Sequence, residues 1–120
     1  MIDLHSYPTP NGRKVSIMLE ECALEYRTHL VDLPAGEHLS PEFRRISPGN
    51  RIPAIVDSEG PAGTPVRVFE SGAILQYLSD KTGRFGGNDP ITRLESRQWL
   101  MFALTELGPA FGQVYHYNHA

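Results

Sequence analysis

The chain has 120 residues, a formal charge of -3 and a pI near 5.9, enough for one compact domain with a helical appendage and too little for two full domains. It lacks the basic excess that drives phosphate binding, so nucleic acid is not an expected partner. No apolar stretch approaches the roughly 20 residues of a membrane helix. The start, Ile2-Asp3-Leu4-His5, looks like a strand without a signal-peptide pattern, so no membrane partner and a cytoplasmic location are expected.

Residues 2 to 6 read as a short strand, and Tyr7-Pro8-Thr9-Pro10-Asn11-Gly12 as a tight connection into a helix. In that helix Val15, Met18, Leu19 and Cys22 fall at i, i+3, i+4 and i+7, a stripe that faces a core. Glu25 to Val31 alternates well enough for a second strand. Asp32 to Ser47 is loop-rich, with Ser40-Pro41-Glu42 signalling one short helix. Pro53 to Asp57 predicts a third strand, joined through Gly60-Pro61-Ala62-Gly63-Thr64-Pro65 to Val66 to Phe69 as a hairpin. Ser71 starts a helix with Ile74, Leu75, Tyr77 and Leu78 on its apolar face, and Gly83 ends it. Asp89-Pro90 reads as the cap and first residue of a helix through Ile91, Leu94, Gln98, Met101 and Leu104. The order implies a parallel crossover followed by an antiparallel hairpin, an α/β fold with a small mixed four-stranded sheet and flanking helices.

The chemistry-bearing runs are Arg51-Ile52-Pro53-Ala54-Ile55-Val56 and Phe69-Glu70-Ser71-Gly72-Ala73-Ile74. Proline cannot donate to a sheet ladder and is tolerated at a strand's first residue, edge or bulge. A cis Ile52-Pro53 bond would turn the chain sharply and leave the Ile52 N–H and C=O free for a peptide-like ligand. Glu70 can take an ammonium, while Ser71 and the first helical N–H groups can take a carboxylate. Together these residues describe a clamp for a zwitterionic peptide. The single cysteine, Cys22, allows neither a disulfide framework nor a C-x-x-C pair, and its place on the apolar stripe predicts an inert core residue. Any thiol chemistry must then borrow a thiol.

Thr9-Pro10-Asn11-Gly12, Arg51-Ile52-Pro53-Ala54-Ile55 and Phe69-Glu70-Ser71-Gly72-Ala73-Ile74-Leu75-Gln76-Tyr77-Leu78 resemble the amino-terminal, thioredoxin-like domain of glutathione transferases. Within that family they are similar to the bacterial Nu-class branch of disulfide-bond oxidoreductases and to the transferase-like domain of the yeast nitrogen-regulatory prion protein. The resemblance runs on through Gly108-Pro109 and Gly112 to His119. It implies a glutathione-binding domain over residues 1–84, then a linker and the first helix of an all-α domain over 85–120 that is much longer in family members.

The resemblance also implies a glutathione-dependent thiol-disulfide oxidoreductase or transferase, cytoplasmic and homodimeric, whose partners are glutathione and a disulfide, peroxide or electrophile. In thioredoxin relatives the first connection carries a C-x-x-C; here Thr9 and Asn11 stand in its place as donors to a bound thiolate. Lowering a thiol pKa by one to two units needs about 1.4 to 2.7 kcal/mol, and one hydrogen bond to a charged acceptor supplies roughly 1.5 to 3. By the resemblance, the Thr9 hydroxyl or backbone N–H and the Asn11 side chain are the expected activating groups, with Asn11 also fitting a helix cap and Tyr7 as the rival donor. Ile52 main chain would pair with the cysteinyl unit beside Pro53, Glu70 would hold the γ-glutamyl ammonium, and Ser71 its carboxylate. His38, at a position that is polar in relatives, and Arg51 are the candidates for the glycyl carboxylate. Tyr115-His116-Tyr117-Asn118 would line a second-substrate region. His116 and His119 lie three apart but lack a third ligand at suitable spacing, so no metal is expected. A non-catalytic glutathione-fold module and an inactive fragment are the alternative readings.

Overall fold

The computed structural model describes residues 1–119, with side chains through Asn118. Met1–Thr82 forms one unit and the chain from Gly83 onward another. In the first unit, β1 (Ile2–Ser6), α1 (Pro10–Glu21), β2 (Tyr26–Leu30), α2 (Pro41–Arg44), β3 (Ala54–Asp57), β4 (Val66–Phe69) and α3 (Ser71–Thr82) follow one another. A one-turn 3-10 helix, Glu37–Leu39, lies in the loop before α2, and Pro61–Gly63 turns with Ala62 in the left-handed region at φ 56.

The sheet order is β2-β1-β3-β4. β1 and β2 pair in parallel, Leu4 opposite Thr28, as a helical crossover requires. β3 pairs antiparallel with β1 and with β4, Ile55 lying opposite both Leu4 and Val68. Strand alternation then divides the apolar residues between two faces. Ile2, Leu4 and Ile55 meet Val15 and Leu19 of α1 and Ile74 and Leu78 of α3 in the main core. Ala54 turns the other way and joins Val31 and Phe43 in a smaller cluster beneath α2. Cys22 is buried next to Thr82, its sulfur 3.6 Å from the hydroxyl, in the core position its helical spacing predicts.

Asp57 closes this unit from within β3. Its side chain is 1% exposed and lies 2.9 Å from the Lys81 ammonium. Tyr77 donates to the same carboxylate at 2.6 Å, and the Glu59 N–H to its other oxygen at 2.9 Å. Burial pushes the Asp57 pKa up, but the hydrogen bonds from Lys81, Tyr77 and Glu59 outweigh it and hold the carboxyl below its ordinary value. Burial and the Asp57 bond push the Tyr77 phenol upward.

In the second unit, Asp89 caps α4 (Pro90–Phe102) with a reciprocal capping box to Thr92. A π-helical stretch, Ala103–Leu107, leads into α5 (Gly108–His119). The helix that the sequence predicts from Asp89-Pro90 through Leu104 is present, and helical backbone continues beyond it through α5. Gly108-Pro109 follows directly on the π-helical stretch, whose wider turn accommodates a proline that cannot donate to the turn before it. Among the described residues, no helix is long and apolar enough to cross a membrane.

Candidate functional site

The site forms where β3 begins and α3 starts. The Ile52-Pro53 peptide bond is cis. Pro53 is buried just ahead of β3, so the proline interrupts no ladder bond of the strand. The Ile52 N–H and C=O make no hydrogen bond within the described residues.

Across the gap, Glu70 links β4 to α3 with φ 73, in the left-handed region that a residue with a Cβ rarely occupies. Such a conformation costs on the order of 1–3 kcal/mol and clusters at ligand-binding positions. Its carbonyl accepts from the Ile74 N–H at 3.0 Å and so starts the helix. The N–H groups of the first turn have no intrahelical acceptor and carry the positive end of the helix dipole. Ser71 sits among them.

These pieces meet in one cleft of about 70 Å³, lined by Asn11, Arg51, Ile52, Pro53, Glu70 and Ser71. Six of the eight expected site residues are thus brought together. Three further lining residues, Ser47, Gly49 and Phe69, were not anticipated. Ser47 is buried and its hydroxyl donates to the Arg51 carbonyl at 2.8 Å, closing the loop that delivers Arg51 and Ile52. Ser47-Pro48-Gly49-Asn50 is a run of turn formers, the signal that could have drawn attention to it.

Thr9 and His38 do not line the cleft. Thr9, rather than Asn11, is the N-cap of α1: its Oγ1 accepts from the Gly12 N–H at 3.1 Å. Asn11 fits a cap by residue type, but Pro10 already occupies the first helical turn, so the cap falls one residue earlier. The Thr9 N–H is also committed, donating to the Tyr7 carbonyl at 2.7 Å, which leaves the Thr9 hydroxyl proton as its free donor. Asn11 accepts from the Lys14 ammonium through Oδ1 at 2.9 Å, which orients its amide and leaves the NH2 group available to the cleft. Gly12 is required by closeness: a Cβ there would run into the Ser6 hydroxyl and the Tyr7 carbonyl.

His38 lies in the Glu37–Leu39 turn with Nδ1 buried and without a hydrogen-bond partner. Tyr7 is half-buried and is not among the cleft residues. His116 packs edge-on against Tyr117 at 5.4 Å, whereas the His119 side chain lies outside the described residues. No group of three or more His, Cys, Asp or Glu among the described residues is arranged to hold a metal ion.

The sheet order, the cis proline entering β3 and a cleft at the start of α3 fit a thioredoxin-like domain of the glutathione transferase type. Residues 9–81 match the family model described as glutathione S-transferase, N-terminal domain, and the chain belongs to that family. It is similar to the disulfide-bond oxidoreductase YfcG of Escherichia coli (strain K12), with 52% identity over 100% of this chain and 56% of the relative. It is also similar to the transcriptional regulator URE2 of Saccharomyces cerevisiae, with 34% identity over 92% of this chain and 32% of that protein. Among solved structures, a glutathione transferase family member from Pseudomonas fluorescens pf-5, with two glutathione bound, superposes with a TM-score of 0.96. Their identity is 51%, over 98% of this chain and 52% of that one. The chain therefore spans about half the length of these bacterial relatives.

Proposed function

We propose that this chain binds glutathione in the cleft between Ile52-Pro53 and Glu70-Ser71 and supports glutathione-dependent thiol-disulfide exchange. The observation that carries the reading is the convergence of a strained Glu70, the α3 N-terminus at Ser71 and an unpaired Ile52 backbone on one cleft. A γ-glutamyl group presents an ammonium and a carboxylate on one carbon, and Glu70 beside Ser71 offers the complementary pair. The cysteinyl unit then runs along the Ile52 backbone, and Arg51 lies on the side that receives the glycyl carboxylate. His38, which does not line the cleft, is the second candidate for that carboxylate.

Asn11 lines the cleft and Thr9 stands two residues before it, so both activate the sulfur as donors, Thr9 through its hydroxyl and Asn11 through its amide. Tyr7 is the competing donor. The glutathione thiolate attacks a disulfide sulfur and displaces a thiolate. A second glutathione then attacks the mixed disulfide, so that two thiols are oxidised to glutathione disulfide while the substrate gains two electrons and two protons. The relatives' names favour this exchange over attack on a peroxide or an electrophilic carbon. We place the protein in the cytoplasm, acting as a homodimer, with residues 1–84 as its glutathione-binding domain and 85–120 as the opening of its helical part.

Calorimetry with glutathione and turnover of 2-hydroxyethyl disulfide test the assignment. Glu70→Ala and Ser71→Ala each weaken glutathione binding by roughly tenfold or more, the loss of a bond to a charged group. Thr9→Ala with Asn11→Ala keeps the affinity and lowers turnover, because the bound thiol then ionises near its free value. Unchanged turnover in that double variant would move activation to Tyr7. Absence of glutathione binding in the parent protein would defeat the whole reading.

A further inference from the structure

Between Phe43 and Val56 the chain carries Arg44, Arg45 and Arg51 and no acidic residue, although the molecule as a whole is net acidic. Structure adds a fourth arginine. Arg67 of β4 donates from Nη1 to the Arg45 carbonyl at 3.4 Å, and Arg44 donates from Nε to Asn50 at 3.4 Å, next in sequence to Arg51. All four are exposed, and none forms an ion pair within the described residues. Arg27 and Lys81, by contrast, are neutralised by Asp3 and Asp57. The nearest acidic side chain in sequence, Glu42, lines a different cleft with His5 and Phe43. These contacts join Arg67 to the Arg45 backbone and Arg44 to the loop that delivers Arg51, so four guanidinium groups without an ion pair sit on neighbouring segments at the Arg51 end of a cleft whose acidic residue is Glu70.

Only Arg51 lines the cleft itself. Arg44, Arg45 and Arg67 lie beyond it, so their charge does nothing that a ligand confined to the cleft requires. Holding like charges together unpaired is unfavourable in isolation, and guanidinium groups are suited to paired recognition of carboxylates. We propose that Arg44, Arg45 and Arg67 form a docking surface for an acidic polypeptide segment, the carboxylate-rich flank of a protein disulfide brought to the cleft. Carboxylates along an extended segment meet successive arginines, and the attraction acts first on encounter and then on orientation. A nucleic acid is a poorer match, because three unpaired charges over a short span of a molecule with net charge -3 neutralise few phosphates. The binding step stands apart from the glutathione assignment, and only its effect on turnover rests on that reading.

The test uses a fluorescent Asp/Glu-rich peptide, its Asn/Gln counterpart, a single-stranded oligonucleotide and the triple variant R44Q/R45Q/R67Q. Anisotropy is expected to show the acidic peptide binding and the amide peptide not. The triple variant should bind about tenfold more weakly, three exposed charge pairs being removed, and R44K/R45K/R67K should recover only part of the loss, since an ammonium keeps the charge and lacks the paired donors. Turnover of the small neutral 2-hydroxyethyl disulfide should be the same in the parent and triple variant, while a disulfide with acidic flanks is reduced more slowly by the variant. Equal affinity for the two peptides, an unchanged triple variant, or tighter binding of the oligonucleotide than of the acidic peptide would each overturn the proposal. The anisotropy arm needs no glutathione, so its failure is separable from failure of the glutathione assignment.

Discussion

The two units of the chain solve the burial problem differently. Every buried residue described lies within Met1–Thr82, where two helices and a sheet enclose the Leu4, Leu19, Ile55, Ile74 and Leu78 side chains completely. From Gly83 onward no described residue is buried, and Ile91, Leu94, Trp99, Phe111, Val114 and Tyr117 are exposed. Sheet alternation supplies an apolar face that neighbouring helices can cover, whereas the interactions described after Gly83 are local, such as the Asp89 cap and the edge-on Trp99–Phe102 pair. The first unit thus rests on tertiary packing and the second on local structure, so equivalent perturbations should differ in scale and reach.

The sharpest way to break the first unit is Asp57→Ala. Removing a carboxylate that is 1% exposed leaves the Lys81 ammonium and the Tyr77 hydroxyl without their partner. Truncating one member of such a pair costs about 3–5 kcal/mol. Denaturant unfolding followed by near-UV signal should show this loss in the first unit, and the cleft should go with it, since α3 carries Ser71 and β3 follows Pro53. The helical signal of residues 90–118 should change little. A loss below about 1 kcal/mol would mean that the ion pair contributes no more than one on the surface.

Much of this contrast was readable in the residues. Ile2, Leu4 and Ser6 alternate with Asp3 and His5, and Val15, Leu19 and Cys22 recur with helical period, so β1 and the buried face of α1 followed from spacing. Ser40 and Asp89 both accept from helix-starting N–H groups, as Ser and Asp before Pro imply. Six cleft residues were recognisable because the ligand they suit is bound by backbone and helix-terminus groups, whose positions a cis Pro and a strand-to-helix junction determine. Periodicity gives no access to long-range pairing. Asp57 read as the polar end of a strand, and nothing local showed that Lys81, 24 positions on, would reach back to it. The exchange of capping roles between Thr9 and Asn11 escaped for a related reason, because both residue types cap well and only the path of Pro8 and Pro10 decides between them.

In the second unit the corresponding change is Asp89→Ala. Asp89 Oδ1 accepts from the Ile91 and Thr92 N–H groups, both at 3.0 Å, and Oδ2 from the Thr92 hydroxyl at 2.9 Å. Losing such a cap leaves two helix-starting N–H groups without their side-chain acceptor and loosens the first turn of α4. Hydrogen exchange should rise in the first turns of α4 and remain unchanged in β1 and β3. Matching increases in the sheet would show the two units unfolding together, and the comparison would then fail.

The smallest effect expected is a pH dependence confined to the first unit. His5 stacks on His29 with ring centroids 4.7 Å apart and interplanar angle 14°. Burial, together with the neighbouring His29 charge, pushes the His5 pKa down, while Asp3 opposes the shift. A histidine whose folded pKa lies below its unfolded value near 6.5 favours the fold while neutral. Its contribution is complete above that value and is lost as pH falls from about 6.5 toward the folded pKa. Asp3 runs on a lower window: the hydrogen bond from His29 leads the causes that hold its carboxyl down, so its contribution is lost only as pH falls below the ordinary carboxylate range. Thermal unfolding should therefore show a shallow decline in stability beginning near neutrality and a separate one in acid. His5→Phe should flatten the first and leave the second, and a first decline that survives in this variant would assign it to another group.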